Sequence, residues 1–105
     1  MDQFEVAKVY RKVPKWFTKP KQINTRILLA FLDLSKNGKY IEIKSVEEKC
    51  KEITTFNENL AQLCCYGKKN NAKIFKKQNG LIKLEDEICQ FILDCYSEYK
   101  KVCQK

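Results

Sequence analysis

Between residues 23 and 34 the apolar side chains Ile23, Ile27, Leu28, Phe31 and Leu32 recur on one face of a 3.6-residue period, which predicts an amphipathic helix. Lys36-Asn37-Gly38 supplies a glycine stop, and Tyr40-Ile41-Glu42-Ile43 reads as a short strand. Two capping boxes then follow ten residues apart. Ser45-Val-Glu-Glu48 opens a helix whose inward face is Val46, Cys50 and Ile53. Thr55-Phe-Asn-Glu58 opens another, with Phe56, Leu60, Leu63 and Cys64 inward and Gly67 ending it. In each box a hydroxyl and a carboxylate satisfy backbone donors left free at a helix start. The spacing predicts a short helix, a tight turn and a second helix.

Residues 67–84 carry six lysines and no acid, together with the strongest short hairpin signal in the chain, Asn79-Gly80. A turn there pairs Gln78 with Leu81, Lys77 with Ile82, Lys76 with Lys83 and Phe75 with Leu84. Like charges directly opposite each other destabilise an isolated hairpin. The Lys76–Lys83 pair therefore predicts that this face meets an anion, the alternative being a solvated lysine-rich surface ribbon.

Residues 85–103 predict a long helix with an acidic first turn, Glu85-Asp86-Glu87, which suits the helix dipole. Ile88, Ile92, Cys95, Tyr99 and Val102 form a seam along it, widened by Phe91, Leu93 and Tyr96. One face of that surface covers the domain's own core. The remainder is enough for a two-fold partner, so Ile88, Phe91, Ile92, Cys95, Tyr96, Tyr99 and Val102 are the expected dimer interface, against the alternative of a single terminal helix lying on its own domain. At the other end, residues 1–22 read as a basic arm broken by Pro14 and Pro20, with Val9, Tyr10, Val13, Trp16 and Phe17 partly docked and the charges outside.

A chain of 105 residues with 44% apolar residues bounds this to one folded domain, here 23–105 behind the arm. The net charge of +8 is unevenly distributed. Six basic against two acidic residues give residues 1–21 a charge of +4, and residues 67–84 carry +6, while 45–66 and 85–105 are each acidic. Two separated basic segments concentrate positive potential where an anionic partner could use it. The six cysteines (Cys50, Cys64, Cys65, Cys89, Cys95, Cys103) include no Cys-x-x-Cys pair and there is no histidine, so a zinc site lacks its usual donors and no metal or cofactor is expected. Most of these cysteines fall on apolar helix positions, where the thiol acts as a small hydrophobe. Met1-Asp2-Gln3-Phe4-Glu5 has neither the basic start nor the apolar run of a signal peptide, which leads to the expectation of a reducing cytoplasm. With three glycines, no nucleotide-binding loop and acids explained by capping, no enzyme is expected.

The order arm, helix, strand, helix, helix, hairpin, helix resembles the winged helix-turn-helix superfamily over residues 23–103. The segments carrying the resemblance are INTRILLAFLDL, YIEI, SVEEKCKEI, TFNENLAQLCCYG and AKIFKKQNGLIKL, the last as the wing. The resemblance implies an α+β fold that binds double-stranded DNA through helix 55–66, with Asn57, Asn59 and Gln62 as outward residues suited to adenine edges. That helix departs from the family pattern in having no Lys or Arg and in carrying Glu58.

The expected contacts therefore shift to the wing, with Lys68, Lys69, Asn70, Asn71, Lys73, Lys76, Lys77, Gln78, Asn79 and Lys83, and to the arm, with Arg11, Lys12, Lys15, Lys19 and Lys21. A thin hairpin tip and an extended arm both suit the narrow minor groove. Among winged-helix proteins of this length the chain is most similar to accessory proteins of mobile elements. These are the origin-of-transfer binding proteins of conjugative plasmids, partition adaptors and small repressors, which implies a homodimer and a relaxase or other DNA-processing partner. A protein-docking module is the competing class. RNA is disfavoured because the wing has no exposed aromatic on which bases stack.

Overall fold

The computed structural model describes residues 1–66 and 72–103. It is a mixed α+β structure with five helices and one three-stranded antiparallel sheet among those residues.

The basic N-terminal segment departs from the expected arm. Helix α1 spans Gln3–Phe17, opened by the Asp2 carboxylate, which accepts from the Glu5 amide at 2.9 Å. Val9, Val13, Trp16 and Phe17 are all buried. Pro14 lies inside this helix, where a proline costs about 3 kcal/mol or more. Burial of four large side chains at about 1.5–3 kcal/mol each outweighs that cost, so the helix runs through it. Helix α2, Ile23–Leu34, is fixed to α1 by the buried Thr25 hydroxyl, which donates to the Trp16 carbonyl at 3.0 Å. Ile27, Leu28, Phe31 and Leu32 form the expected core face, but Ile23 is exposed.

Asn37 and Gly38 then adopt positive φ (58° and 73°). At Gly38 a side chain is excluded twice over: by the backbone, and by Cys89 Sγ and Leu84 Cδ1, which would lie 2.8 and 2.9 Å from a Cβ. The turn is tied down by the Leu84 amide, which donates to the Gly38 carbonyl at 3.0 Å.

Strand β1 is only Ile41–Glu42, shorter than expected, because Ile43 already begins helix α3, Ile43–Lys49. Glu42 occupies the N-cap, so Ser45 lies inside the helix and its box does not form; pairing of β1 sets where the helix starts. Val46 is the buried residue of α3, which ends at Lys49, sooner than expected; Cys50, its C-cap, and Ile53 in the turn beyond are also buried. Helix α4, Phe56–Leu63, does begin after Thr55. Its cap differs from the box, since the Asn59 side-chain Nδ2 donates to both Thr55 Oγ1 and the Thr55 carbonyl at 2.9 Å. Phe56, Leu60 and Leu63 are buried as expected, whereas Gly67 lies outside the described residues.

Strands β2, Phe75–Gln78, and β3, Leu81–Leu84, pair in the register read from Asn79-Gly80: Phe75 with Leu84, Lys76 with Lys83, Lys77 with Ile82 and Gln78 with Leu81. Both turn residues have positive φ (50° and 78°), the two-residue turn whose twist matches its strands. β1 pairs antiparallel with β3, giving the order β1-β3-β2.

Helix α5, Asp86–Cys103, runs beside α1 in the same direction. The Met1 amine pairs with Glu87 at 3.1 Å, Tyr10 stacks on Phe91 at 4.1 Å, and Phe17 meets Tyr99 at 5.5 Å. This corrects the expected dimer seam: Ile88 and Ile92 are fully buried in the chain's own core, so they are not available to a second copy. No described helix is long and apolar enough to cross a membrane.

Candidate nucleic-acid interface

The hairpin presents two faces. Phe75, Ile82 and Leu84 turn inward, with Phe75 packed edge-on to Phe31 at 4.8 Å. Lys77 shares their alternation but sits beyond the core, exposed, where its charge acts on the thiol of Cys64 at the end of α4. The opposite face carries Lys76, Gln78, Leu81 and Lys83.

On that opposite face the structure corrects the argument from like charges. Lys83 donates to Asp86 at 2.9 Å and lies 5.4 Å from the Tyr40 ring centre. The hydrogen bond from Lys83 and its charge hold the Asp86 carboxyl below its ordinary value, and the same bond holds Lys83 above its own. Lys76 also contributes to the lowering at Asp86. The chain itself thus supplies the anion that makes the pair tolerable. Lys73 is likewise occupied, donating to the nearly buried Glu85 at 2.7 Å. Burial alone would lower its pKa, and the Glu85 hydrogen bond and charge raise it instead.

Lys76 and Lys77 remain as exposed hairpin cations with no ion pair among the described residues. Gln78 accepts from the Tyr40 hydroxyl at 3.0 Å, and Asn79 forms the tip. Lys68, Lys69, Asn70 and Asn71 lie outside the described residues.

The structure joins what the sequence kept apart. The Ile74 amide donates to the Leu63 carbonyl at 2.9 Å, pinning the strand entry to the end of α4. The connection between α1 and α2 folds against the same end. Gln22, Ile23 and Asn24 line a cleft of about 330 Å³ with Trp16, Asn59 and Gln62. Gln62 is exposed without a hydrogen-bond partner among the described residues, while the nitrogen of Asn59 is committed to Thr55. Asn57 is exposed at the start of α4. Lys19 and Lys21 are exposed on the turn leading into Gln22. The turn that carries Lys21 and the strand that carries Lys77 therefore both come near the C-terminal end of a helix that has no cation of its own.

Arg11, Lys12 and Lys15 lie on α1, not on an extended arm, so the idea of a flexible tail entering a groove does not survive. Arg11 and Lys15 are exposed; Lys12 is partly covered, and burial together with Lys8, Arg11 and Lys15 lowers its pKa. Residues that sequence reasoning missed are Tyr40, Lys44, Gln22 and Asn24. The Ile43 amide donates to the Gly80 carbonyl at 2.9 Å, which sets exposed Lys44 beside the hairpin tip. Tyr40 places an exposed aromatic against the hairpin, where none was expected. For Tyr40 and Lys44 the only sequence signal was position beside β1, and the partner of β1 is not legible from spacing.

The thiols are unpaired. Burial pushes Cys64 up to about 11, which keeps it a neutral thiol and a poor nucleophile at neutral pH. Comparison with protein-family models, curated proteins and solved structures finds no match to this chain.

Proposed function

We propose that this chain is a winged helix-turn-helix protein that binds double-stranded DNA. The contact surface is the end of α4, the Lys19–Gln22 turn and the β2–β3 wing. The observation that carries the reading is the placing of the turn bearing exposed Lys21 and of exposed Lys77 near the same end of cation-free α4, where Gln62 is open, with Asn57 exposed at the helix start. Phosphate contacts from lysines position a protein on the duplex, and amide side chains read base edges. The sheet order β1-β3-β2, with a helix pair before the hairpin, supports the winged-helix assignment. The further reading is an accessory protein of a mobile element, similar to the origin-of-transfer binding protein TcpK of conjugative plasmids, acting beside a relaxase in the cytoplasm. It rests on the resemblance in length, basic wing and cation-free helix. A small repressor or partition adaptor would use the same surface.

Gel shifts with random-sequence duplex across a salt series test this. Binding should fall steeply, since each neutralised phosphate contributes a slope of about 0.9. A slope worth fewer than about three phosphates would sink the reading. The exposed carboxylates of Glu47, Glu48 and Glu58 on α3 and α4 favour a second reading, a protein-docking module, which predicts no saturable shift near physiological salt.

A further inference from the structure

Alongside the inner contacts of α1 and α5 runs an open groove of about 480 Å³ with an apolar floor. Pro14 and Phe17 line it from α1, and Phe91, Cys95, Tyr99 and Val102 from α5. Val102 is 68% exposed. A continuous apolar strip of this kind on a chain carrying 32% charged residues is a surface that water solvates poorly.

The two rims carry opposite charge. On α5, Asp94 and Glu98 stand one turn apart on the groove edge. On α1, Arg11 and Lys15 occupy the next positions outward from Pro14 and Thr18, and both are exposed. The helices run in the same direction, with Tyr10 level with Phe91 and Phe17 level with Tyr99. Arg11 and Lys15 therefore fall within the same stretch of height as Asp94 and Glu98.

We propose that a second copy of this chain closes the groove, related by a two-fold axis running along it, so that α1 of each copy lies over α5 of the other. That operation keeps heights and exchanges rims. It sets Arg11 and Lys15 of one copy against Asp94 and Glu98 of the other, twice, while the apolar floors meet. A two-fold axis across the helices would stack α1 on α1 and oppose each rim to itself, which like-charge repulsion disfavours. The contact of Glu98 with Lys101 does not compete: both are well exposed and 3.4 Å apart, an arrangement of little strength. This inference does not rest on DNA binding.

Sedimentation equilibrium on the full chain tests it. The chain should be a dimer that weakens with added salt. Val102→Asp should leave it monomeric with an unchanged helical circular dichroism spectrum, because Val102 is exposed in the single chain. Lys15→Glu and Glu98→Lys should each weaken the dimer by about tenfold or more. Combined in one chain they should restore it, since the exchanged rims then match again. A chain that stays monomeric up to its solubility limit overturns the proposal, as does a dimer indifferent to Val102→Asp. Failure of the double exchange to restore association overturns the axis, and with it the proposal.

Discussion

Lys76 and Lys83 stand directly opposite each other across the β2–β3 hairpin, and Asp86 closes on Lys83 at 2.9 Å. The ribbon is thus internally compensated on one strand and open on the other. Asp86→Asn should free Lys83 and add about one phosphate to the salt slope of duplex binding. A slope equal to that of the parent, measured by gel shift, would show that this face of the hairpin does not meet the polyanion.

Lys76→Ala with Lys77→Ala should weaken binding to all duplexes alike and lower the salt slope by about two phosphates. Asn57→Ala with Gln62→Ala should instead erode discrimination between sites, by about 1–3 kcal/mol for each base edge that is no longer read. Competition between a selected site and random duplex separates the two effects. Loss of discrimination in the lysine variant, with none in the amide variant, would reverse the assigned roles.

Gly38→Ala and Gly80→Ala share a positive φ but differ in their surroundings. At Gly80 nothing lies within 4 Å, so only backbone strain of about 1 kcal/mol is expected. At Gly38 the added methyl also meets Leu84 and Cys89, and overpacking adds about 1–3 kcal/mol. Urea unfolding should rank Gly38→Ala as clearly the more damaging. Equal midpoints would contradict the packing around Gly38.

Helices α1 and α5 are predicted to be structural before they are anything else. Ile92→Ala should destabilise by about 2–5 kcal/mol, as for a fully buried aliphatic side chain. Deletion of residues 1–17 should abolish cooperative unfolding, because it strips Val9, Val13, Trp16 and Phe17 from the core. A truncated chain that unfolds with an unchanged midpoint would restore the arm.

The pH profile of stability follows from the groups that shift. With no histidine, no side chain has an ordinary pKa in the neutral range. Asp86 and Glu87 have folded values below their ordinary 3.8 and 4.5, so their contribution is complete above those values and is lost as pH falls through the depressed ones. Cys64 is raised from 9.0 to about 11, so its contribution is complete below 9.0 and is lost as pH rises toward 11. Thermal midpoints should therefore be level from about pH 5 to 8 and fall on both sides. A step inside that range would contradict these assignments.

Local chemistry determined much of this fold. Asn79-Gly80 fixed the hairpin register residue by residue, because two positive φ values admit few residues and the side-chain period of two leaves no freedom once the turn is placed. The inward face of α4 followed from apolar spacing, since that spacing is the helix period itself. Tertiary structure decided what depended on a distant partner. Pro14 within a lysine-rich run suggested an arm until α5 and α2 offered four of its neighbours a place to be buried. The Ser45 box lost to a helix starting at Ile43, whose amide meets the Gly80 carbonyl. The lysine pair on the ribbon suggested an outside anion, but Asp86, which follows the hairpin in sequence, occupied Lys83 first. Sequence spacing reports the contacts a residue makes with its own turn or strand; which surface covers that element, and which charge reaches it, is set only when remote segments meet.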